Sequence, residues 1–208
     1  IILLVLCLYG HFRIEHIYGH HKNVATKEDP ATARENENFY YYLFRCVIMS
    51  LISAWNIEKN ILKNKKISTY NYKNRMLHYF FMEILLLSLS FVYAGLNGLI
   101  FILFHSIISI ILLELVDYIQ HYGLERKATN DQKVEPYNHS HSWNSRHSIA
   151  DWSTFNLGLH SEHHTIANKP YPLLTQDEKV REMPANYPVM IIMALIPPIW
   201  FRVIDPKL

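Results

Sequence analysis

Long apolar runs alternate with polar blocks along the 208 residues of the chain. Two apolar segments, 76–94 and 96–116, each have about the 20 residues that an α-helix needs to cross a bilayer. Gly95 and Gly98 mark their junction, and no charged residue lies nearby, so the pattern predicts a tight helical hairpin. The apolar run 1–9 indicates the end of a further transmembrane helix, whose beginning is expected to precede the sequence.

Two shorter apolar segments lie on either side of this hairpin in the sequence. Residues 39–57 are aromatic and apolar but are interrupted by Arg45, so they fit an interfacial or deeply packed helix as well as a transmembrane one. Residues 187–201 are broken by Pro197 and Pro198, which favours a membrane-surface or re-entrant helix over a spanning one. The whole pattern predicts an all-α fold, an integral-membrane helical bundle formed as a single domain.

Charged residues indicate the orientation of this bundle. Residues 58–75 carry six lysines or arginines against one acid, Glu58, and Arg126 and Lys127 follow the hairpin. Because basic residues concentrate on the cytoplasmic side of membrane proteins, both regions are expected there, and the polar segment 120–186 is predicted to form a cytoplasmic, histidine-rich cap. The net charge of +2 is small and argues against nucleic acid as a main partner.

Histidine is the residue type that points to chemistry, and the chain has 13 of them. The two cysteines lie in apolar stretches and form no CxxC motif, so neither a cysteine metal site nor a disulfide framework is expected. Two of three histidine clusters would place imidazoles one helical turn apart, on one face of a helix. The clusters consist of His16, His20 and His21, then His121, then His160, His163 and His164.

Each cluster taken alone has an ordinary interpretation. A lone His121 is more often a packed or helix-end histidine than a ligand, and an isolated HxxHH is commoner as a polar surface patch. Two triplets and a helix-end histidine on the same side of a membrane instead favour a metal centre. Seven imidazoles exceed the four ligands of a tetrahedral zinc site, which indicates two metal ions. Imidazole suits zinc, copper, iron and nickel, and redox-active iron fits best where many histidine ligands leave open positions.

Longer motifs surround the clusters. They are E-H-x-x-G-H-H at 15–21, V-A-T-x-E-D-P at 24–30, D-Y-I-Q-H-Y-G-L at 117–124, H-S-W-N-S-x-H at 141–147 and L-G-L-H-S-x-H-H at 157–164. In this order the motifs resemble those of the integral-membrane alkane monooxygenases (alkane 1-hydroxylases), within the membrane fatty-acid desaturase and hydroxylase superfamily. Asp117, Gln120, Gly158 and Leu159 depart from that family's pattern, and none of them is a ligand position.

The resemblance implies a non-haem di-iron monooxygenase. The seven clustered histidines would bind two iron ions, and O2 would be the co-substrate for terminal hydroxylation of medium-chain alkanes. The apolar alkyl substrate would enter from the lipid bilayer, and electrons would come from rubredoxin, reduced by a rubredoxin reductase. The implied location is the bacterial inner (plasma) membrane, with the active site on the cytoplasmic side. The family's earlier H-E-x-x-H-K motif has no match, so the sequence is expected to be an N-terminally truncated fragment lacking two further ligands.

Four residues are candidates for supporting the ligands. His141 and His147 lie in the H-S-W-N-S-x-H motif, where they would orient ligands through hydrogen bonds or, alternatively, only cap the loop. Glu114 precedes His121 by two helical turns on the same face, and is predicted either to orient an imidazole or to pair with Arg126. Asp29 is either a supporting acid or part of a solvated turn.

Three alternative functions stay open at this point. Within the same superfamily, the chain could be an aryl-methyl (xylene-type) monooxygenase or a fatty-acyl desaturase or hydroxylase. From another class, it could be a metal-binding membrane transporter without oxygen chemistry. Transporters place their ligands near the middle of the bilayer, whereas these histidines are expected at helix ends.

Overall fold

The computed structural model describes residues 1–128, 133–145, 154–175, 177 and 179–208. Helices dominate these residues, as predicted, and the strands described are one short parallel pair, β1 (Trp143–Asn144) and β2 (Arg181–Glu182). The helices are α1 (Ile2–Leu6), α2 (Phe12–Glu15), α3 (His21–Asn23), α4 (Phe39–Asn64), α5 (Arg75–His121), α6 (His160–Thr165), α7 (Tyr187–Ala194) and α8 (Pro197–Ile204), with a π-helical turn at His16–His20 and 3-10 turns at His139–His141, Tyr171–Leu173 and Asp205–Lys207.

The chain divides into two compact units. Unit 1 comprises Ile1–Lys22 and Cys46–Leu113, and unit 2 comprises Asn23–Arg45 and Glu114–Leu208. Each unit has buried apolar residues of its own, so each can be understood from its own packing. The prediction that the whole chain forms a single domain stays a prediction.

Unit 1 has a small core around the N-terminal helices. Val5, Ile14, Ala54, Met76 and Tyr79 are buried together, with partly buried aromatic and aliphatic side chains packed around them. Full burial of a valine, isoleucine or methionine side chain stabilises a fold by about 1.5–3 kcal/mol. This core fixes the helical segment that carries the first histidine cluster.

Polar contacts fix the start of α5 in unit 1. Asn74 caps the helix, because its Oδ1 accepts hydrogen bonds from the backbone N–H groups of Met76 (2.8 Å) and Leu77 (3.4 Å). The Arg75 guanidinium forms a 2.5 Å ion pair with Glu58 on α4, whose side chain is almost fully buried. The long apolar helix therefore begins at a defined position beside the end of α4.

The predicted hairpin is present inside α5. Gly95 has φ 58° and ψ −143°, a conformation outside the helical region that essentially only glycine adopts. Eight residues along a continuous helix span about 12 Å. A Cβ placed on Gly98 would nevertheless collide with the carbonyl oxygen of Ser90, so the chain reverses direction between these residues.

Both arms of α5 present apolar side chains to their surroundings. Within the part of the chain that the structure describes, α5 alone is long and apolar enough to cross a membrane. Val92 is 77% exposed and Phe104 is 64% exposed. Soluble proteins rarely expose a continuous apolar surface of this extent, so the exposed residues suit a lipid environment. The bundle and its cytoplasmic cap stay predictions.

Unit 2 is built around an aromatic core. The Tyr118 ring lies 5.2 Å from the rings of both Tyr42 and Trp200 and 5.6 Å from that of Phe39, measured between centroids. Tyr122 extends the group, with its ring 5.3 Å from Trp200. These rings surround the last turns of α5 and so hold the helix end that carries the second histidine cluster.

A polar loop in unit 2 is tied to the start of α4. The Arg45 guanidinium donates hydrogen bonds to both carboxylate oxygens of Glu37, at 2.6 and 2.7 Å, and to the carbonyl oxygens of Pro30 and Thr32, both at 3.0 Å. This bidentate pair explains the charge that interrupts the apolar run 39–57. The arginine satisfies the backbone of the loop instead of facing lipid.

The C-terminal apolar stretch forms two helices rather than one. Helices α7 and α8 have eight residues each, and such a helix is about 12 Å long, far less than a bilayer requires. Pro197 lies in the first turn of α8, where its missing N–H removes no helical hydrogen bond. The expectation that this stretch does not span the membrane as one helix is met.

We expect Gly98→Ala to destabilise the hairpin. The added methyl group would meet the backbone carbonyl of Ser90, which cannot rotate away as a side chain could. Overpacking of this kind costs about 1–3 kcal/mol, enough to lower the thermal unfolding midpoint by several degrees. Thermal unfolding in detergent would measure the shift, with Val92→Ala on the exposed surface of the same hairpin as the control. Equal unfolding midpoints for the two variants would contradict the close approach of Gly98 to the Ser90 carbonyl group.

Candidate metal centre

The first histidine cluster lies on the π-helical turn of unit 1. The Nε2 atoms of His16 and His21 are 3.2 Å apart, and the rings of His16 and His20 are stacked with centroids 5.1 Å apart. A π-helical turn aligns residues five apart, whereas an α-helix aligns residues three and four apart. The turn therefore pairs His16 with His21, a pairing that the α-helical spacing assumed from the sequence did not predict.

The acid and the glycine of the E-H-x-x-G-H-H motif fit against each other. Glu15 is buried, and its Oε1 accepts a 3.4 Å hydrogen bond from the Ser53 hydroxyl. A Cβ on Gly19 would collide with the same carboxylate oxygen, so the absence of a side chain there makes room for Glu15. The motif thus packs one side of the turn that carries the three histidines.

The second and third clusters come together within unit 2. The Nε2 atom of His160 lies 2.9 Å from the Nε2 atoms of both His121 and His164, and all three residues are buried. His163 lies beside them, with its ring centroid 5.8 Å from His160 and 5.5 Å from His164. The helix end predicted for His121 and the single face predicted for the third cluster are both observed.

The spacing of these nitrogen atoms fits a metal ion. An imidazole nitrogen carries either a hydrogen atom or a lone pair, so His160 Nε2 cannot form good hydrogen bonds with two neighbouring nitrogens at once. Two ligands at right angles, each about 2.1 Å from one cation, would be about 3 Å apart. The two 2.9 Å separations match that arrangement. His121, His160 and His164 could therefore hold one ion together.

The H-S-W-N-S segment contacts the end of α5. The Ser142 hydroxyl lies 3.3 Å from Nδ1 of His121, and Ser142 is completely buried. The Trp143 indole N–H donates a 2.9 Å hydrogen bond to the carbonyl oxygen of Tyr122. A hydrogen bond at Nδ1 leaves Nε2 of His121 available to a metal and fixes the plane of the ring.

The same segment also contacts α6. Oδ1 of Asn144 accepts a 2.9 Å hydrogen bond from the backbone N–H of Ser161, one of the amides that the first turn of a helix leaves unsatisfied. The backbone N–H of Ser145 donates a 3.0 Å hydrogen bond to the carbonyl oxygen of Gly158. The segment 142–145 thus braces the two elements that carry the unit 2 histidines.

Tyr137 contacts His164 directly and is linked to His121 through Ser142. Its ring lies 5.4 Å from that of His164, and its hydroxyl donates a 2.8 Å hydrogen bond to Ser142, which in turn contacts His121. In this segment the sequence predicted supporting roles only for His141 and His147, and not for Tyr137, Ser142 or Asn144. The signal available was that Ser142 and Asn144 lie within the H-S-W-N-S-x-H motif and that Tyr137 shortly precedes it.

A charged network lies on the other side of α6. Oε2 of Glu162 is 2.9 Å from Nε2 of His139, and its Oε1 accepts hydrogen bonds from the Lys169 ammonium group and from the Thr175 hydroxyl. The hydrogen bond from Lys169 holds the pKa of Glu162 below its usual range. Glu162 is therefore a carboxylate that ties α6 to the following loop.

The predicted supporting residues occupy different surroundings. Nδ1 of His141 accepts a hydrogen bond from the backbone N–H of Asn138 (3.0 Å), and burial lowers the pKa of His141. Asp29 is buried rather than solvated, and its carboxylate accepts a 2.6 Å hydrogen bond from Thr32. The Glu114 carboxylate accepts a 3.3 Å hydrogen bond from the Tyr42 hydroxyl. His147 lies outside the described residues, and a supporting role for all four stays a prediction.

Sequence comparison places this histidine-rich fold in a known group. The model of the family described as fatty acid desaturase matches residues 1–193, which is most of the chain. The chain belongs to the fatty acid desaturase family. The resemblance seen in the histidine motifs is thereby confirmed.

Several characterised members of the wider superfamily are similar to this chain. Alkane 1-monooxygenase 1 of Pseudomonas aeruginosa is 36% identical over 207 residues, which cover 99% of the chain and 54% of that protein. The alkane 1-monooxygenase of Acinetobacter baylyi is 36% identical over 199 residues, covering 96% of the chain and 49% of that protein. The hydroxylase component of the xylene/toluene monooxygenase of Pseudomonas putida is 29% identical, covering 94% of the chain and 52% of that protein. The chain thus spans about half the length of the curated relatives it matches.

We expect Ser142→Ala and Tyr137→Phe each to weaken metal binding. Both changes remove a hydroxyl from the chain of contacts that orients His121 while keeping the rest of the side chain in place. Loss of such a partner lowers metal affinity on the order of 10–100-fold. Metal retained per chain after dialysis against a chelator would measure the effect.

The matched control is Ser140→Ala. The Ser140 hydroxyl lies in the same short turn but donates its hydrogen bond to Asn138, at 2.6 Å. If all three variants retain metal equally, the contact between Ser142 and His121 does not hold the ligand.

Proposed function

We propose that this chain is the histidine-bearing part of a membrane-bound, non-haem di-iron monooxygenase that hydroxylates the terminal carbon of medium-chain alkanes. The observation that carries the proposal is the buried group of His121, His160 and His164. In this group the Nε2 atom of His160 lies 2.9 Å from the Nε2 atoms of both His121 and His164. Membership of the desaturase family and similarity to several alkane 1-monooxygenases support the choice of iron and of oxygen chemistry. Two metal ions are proposed because seven clustered histidines exceed the needs of one.

The proposed ligands are the seven clustered histidines, which lie on three separate segments of the chain. His16, His20 and His21 lie on or directly after the π-helical turn, His121 is the last residue of α5, and His160, His163 and His164 lie on α6. When bound, the iron ions supply the reduction of O2 and the oxidation of a C–H bond. The protein residues hold and orient: Ser142 fixes the ring of His121, and Glu15 packs the turn that bears the first cluster.

Substrate, electron donor and location follow from the same proposal. The exposed apolar surface of α5 suits a lipid bilayer, from which an alkane would reach the centre without crossing water. Because no flavin, nicotinamide or haem motif is visible in the sequence, electrons would come from outside, and rubredoxin with its reductase is the proposed source. The proposed location is the bacterial inner membrane, with the histidines on the cytoplasmic side.

A second candidate is an aryl-methyl monooxygenase. The similarity to the xylene/toluene monooxygenase component over 197 residues favours it, since a benzylic methyl group presents a terminal C–H bond much as an alkane does. Alkane hydroxylation is preferred because the identity to the alkane enzymes is higher, at 36% against 29%.

We expect His164→Ala to abolish hydroxylation and to lower the iron content. The substitution removes one nitrogen of the buried group, a larger change than loss of a supporting hydrogen bond, which alone costs roughly 10–100-fold in metal affinity. Product formation from octane and iron per chain would be measured in membranes of cells that express the chain in its natural full-length context. His78→Ala, an exposed histidine at the start of α5, is the control. Survival of both iron and activity in His164→Ala would refute the ligand assignment.

Substrate class can be tested by direct competition. We expect membranes supplied with reduced rubredoxin and isotopically labelled 18O2 to convert octane to labelled 1-octanol faster than they oxidise p-xylene or an acyl substrate. Gas chromatography with mass detection would quantify the products. Faster oxidation of xylene would favour the aryl-methyl enzyme, and metal release without any labelled product would favour a transporter.

A further inference from the structure

A cavity of about 570 Å³ lies in unit 1 between the end of α4 and the start of α5. Its apolar lining is formed by the aliphatic side chains of Ile61, Leu62 and Ile67. The lining also includes Lys65 and Lys73, two exposed residues that carry positive charges. The cavity therefore combines an aliphatic surface with the ammonium groups of two exposed lysines.

Glu58 is the one acid among the described residues that line this cavity, and its charge is balanced by Arg75. Glu58 accepts two hydrogen bonds from the Arg75 side chain, at 2.9 and 2.5 Å, and one from the Arg75 backbone N–H, at 2.8 Å. Because the Arg75 guanidinium balances the negative charge of the Glu58 carboxylate, Glu58 repels a bound anion only weakly. Lys65 and Lys73 leave the cavity with a net positive charge.

The position of the cavity indicates where its ligand comes from. Arg75 is the first residue of α5, and the residues that follow are the apolar arm suited to lipid. Tyr70 and Tyr72, in the loop just before the helix, are 82% and 75% exposed. Tyrosine and lysine are the side chains that concentrate at the headgroup level of a bilayer. The cavity therefore lies where the lipid headgroups would be if α5 crosses a membrane.

We propose that this cavity binds an anionic phospholipid. The phosphate would lie between the ammonium groups of Lys65 and Lys73, and the glycerol and first methylene groups would cover Ile61 and Ile67. The aliphatic lining and the exposed tyrosines favour a lipid over an acidic soluble protein, because one lipid molecule offers both a phosphate for the lysines and methylene groups for the aliphatic side chains. The inference rests on the proposed membrane location, and it concerns neither the histidines nor the hydroxylation reaction.

The test compares two variants with the same loss of charge. Lys65→Gln with Lys73→Gln removes the charges that line the cavity. Lys59→Gln with Lys63→Gln removes two exposed charges of the same basic block that do not line it. Each full chain would be purified in a neutral detergent and titrated with short-chain phosphatidylglycerol or phosphatidylcholine. Native mass spectrometry would count the lipids bound.

We expect the unmodified chain to prefer phosphatidylglycerol and the cavity variant to lose that preference. A cation near an anionic lipid contributes roughly a fivefold change in binding, so two cations give on the order of thirtyfold. The variant at Lys59 and Lys63 should lose clearly less of the preference for phosphatidylglycerol, because the two charges that it removes lie outside the cavity. Soluble glycerol phosphate should bind much more weakly than the lipid, since it cannot cover the aliphatic wall.

Three outcomes would overturn the proposal. Equal losses in the two variants would show general attraction between charges and no built site, and equal binding of both lipids would remove the phosphate contact. If rubredoxin protected Lys65 and Lys73 from chemical labelling while phosphatidylglycerol did not, the surface would belong to an acidic protein. Extraction of the membranes with alkaline carbonate tests separately whether the chain is embedded, so failure of the lipid site and failure of the proposed location are distinguishable.

Discussion

A buried imidazole nitrogen destabilises a fold unless it has a hydrogen-bond partner or a metal ion. In unit 2 this constraint acts on three rings at once, since His160 Nε2 faces the corresponding atoms of His121 and His164 at 2.9 Å. One nitrogen cannot satisfy two others through hydrogen bonds, whereas a cation accepts all three as ligands. The end of α5, the short helix α6 and the segment that braces them can all be understood as the means of keeping these rings in place.

The histidines of unit 1 also have ring nitrogens close together, but through a different local geometry. A π-helical turn brings His16 and His21 within 3.2 Å, and it is packed on one side by the Glu15 carboxylate against Gly19. Such turns are uncommon and are found frequently at functional sites, because the extra residue changes the direction of the side chains without ending the helix. The conversion of an ordinary-looking E-H-x-x-G-H-H segment into this turn is what lets residues five apart act together.

In the bracing segment 142–145, the residues that hold the histidines in place are not themselves histidines. Histidine attracts attention because it binds metals, yet the residues of the segment 142–145 that contact α5 and α6 are Ser142, Trp143 and Asn144. They contact backbone groups and Nδ1 of His121, and serine, tryptophan and asparagine make such contacts in many proteins. Their residue types alone therefore do not predict this role. The Ser142 hydroxyl contacts Nδ1 of His121, and a contact of this kind fixes the orientation of the imidazole ring.

The sequence by itself determined the helical class, the reversal at Gly95 and Gly98, and the identity of the clustered histidines, because hydrophobic periodicity, glycine conformation and ligand chemistry are local properties. It also indicated that 187–201 would not span a membrane as one helix, since two prolines interrupt it. The tertiary structure alone decided that the first cluster lies on a π turn, that Arg45 pairs with Glu37, and that Asp29 is buried. These outcomes depend on contacts between segments far apart in the chain or on small differences in packing, and neither can be read from the order of residue types.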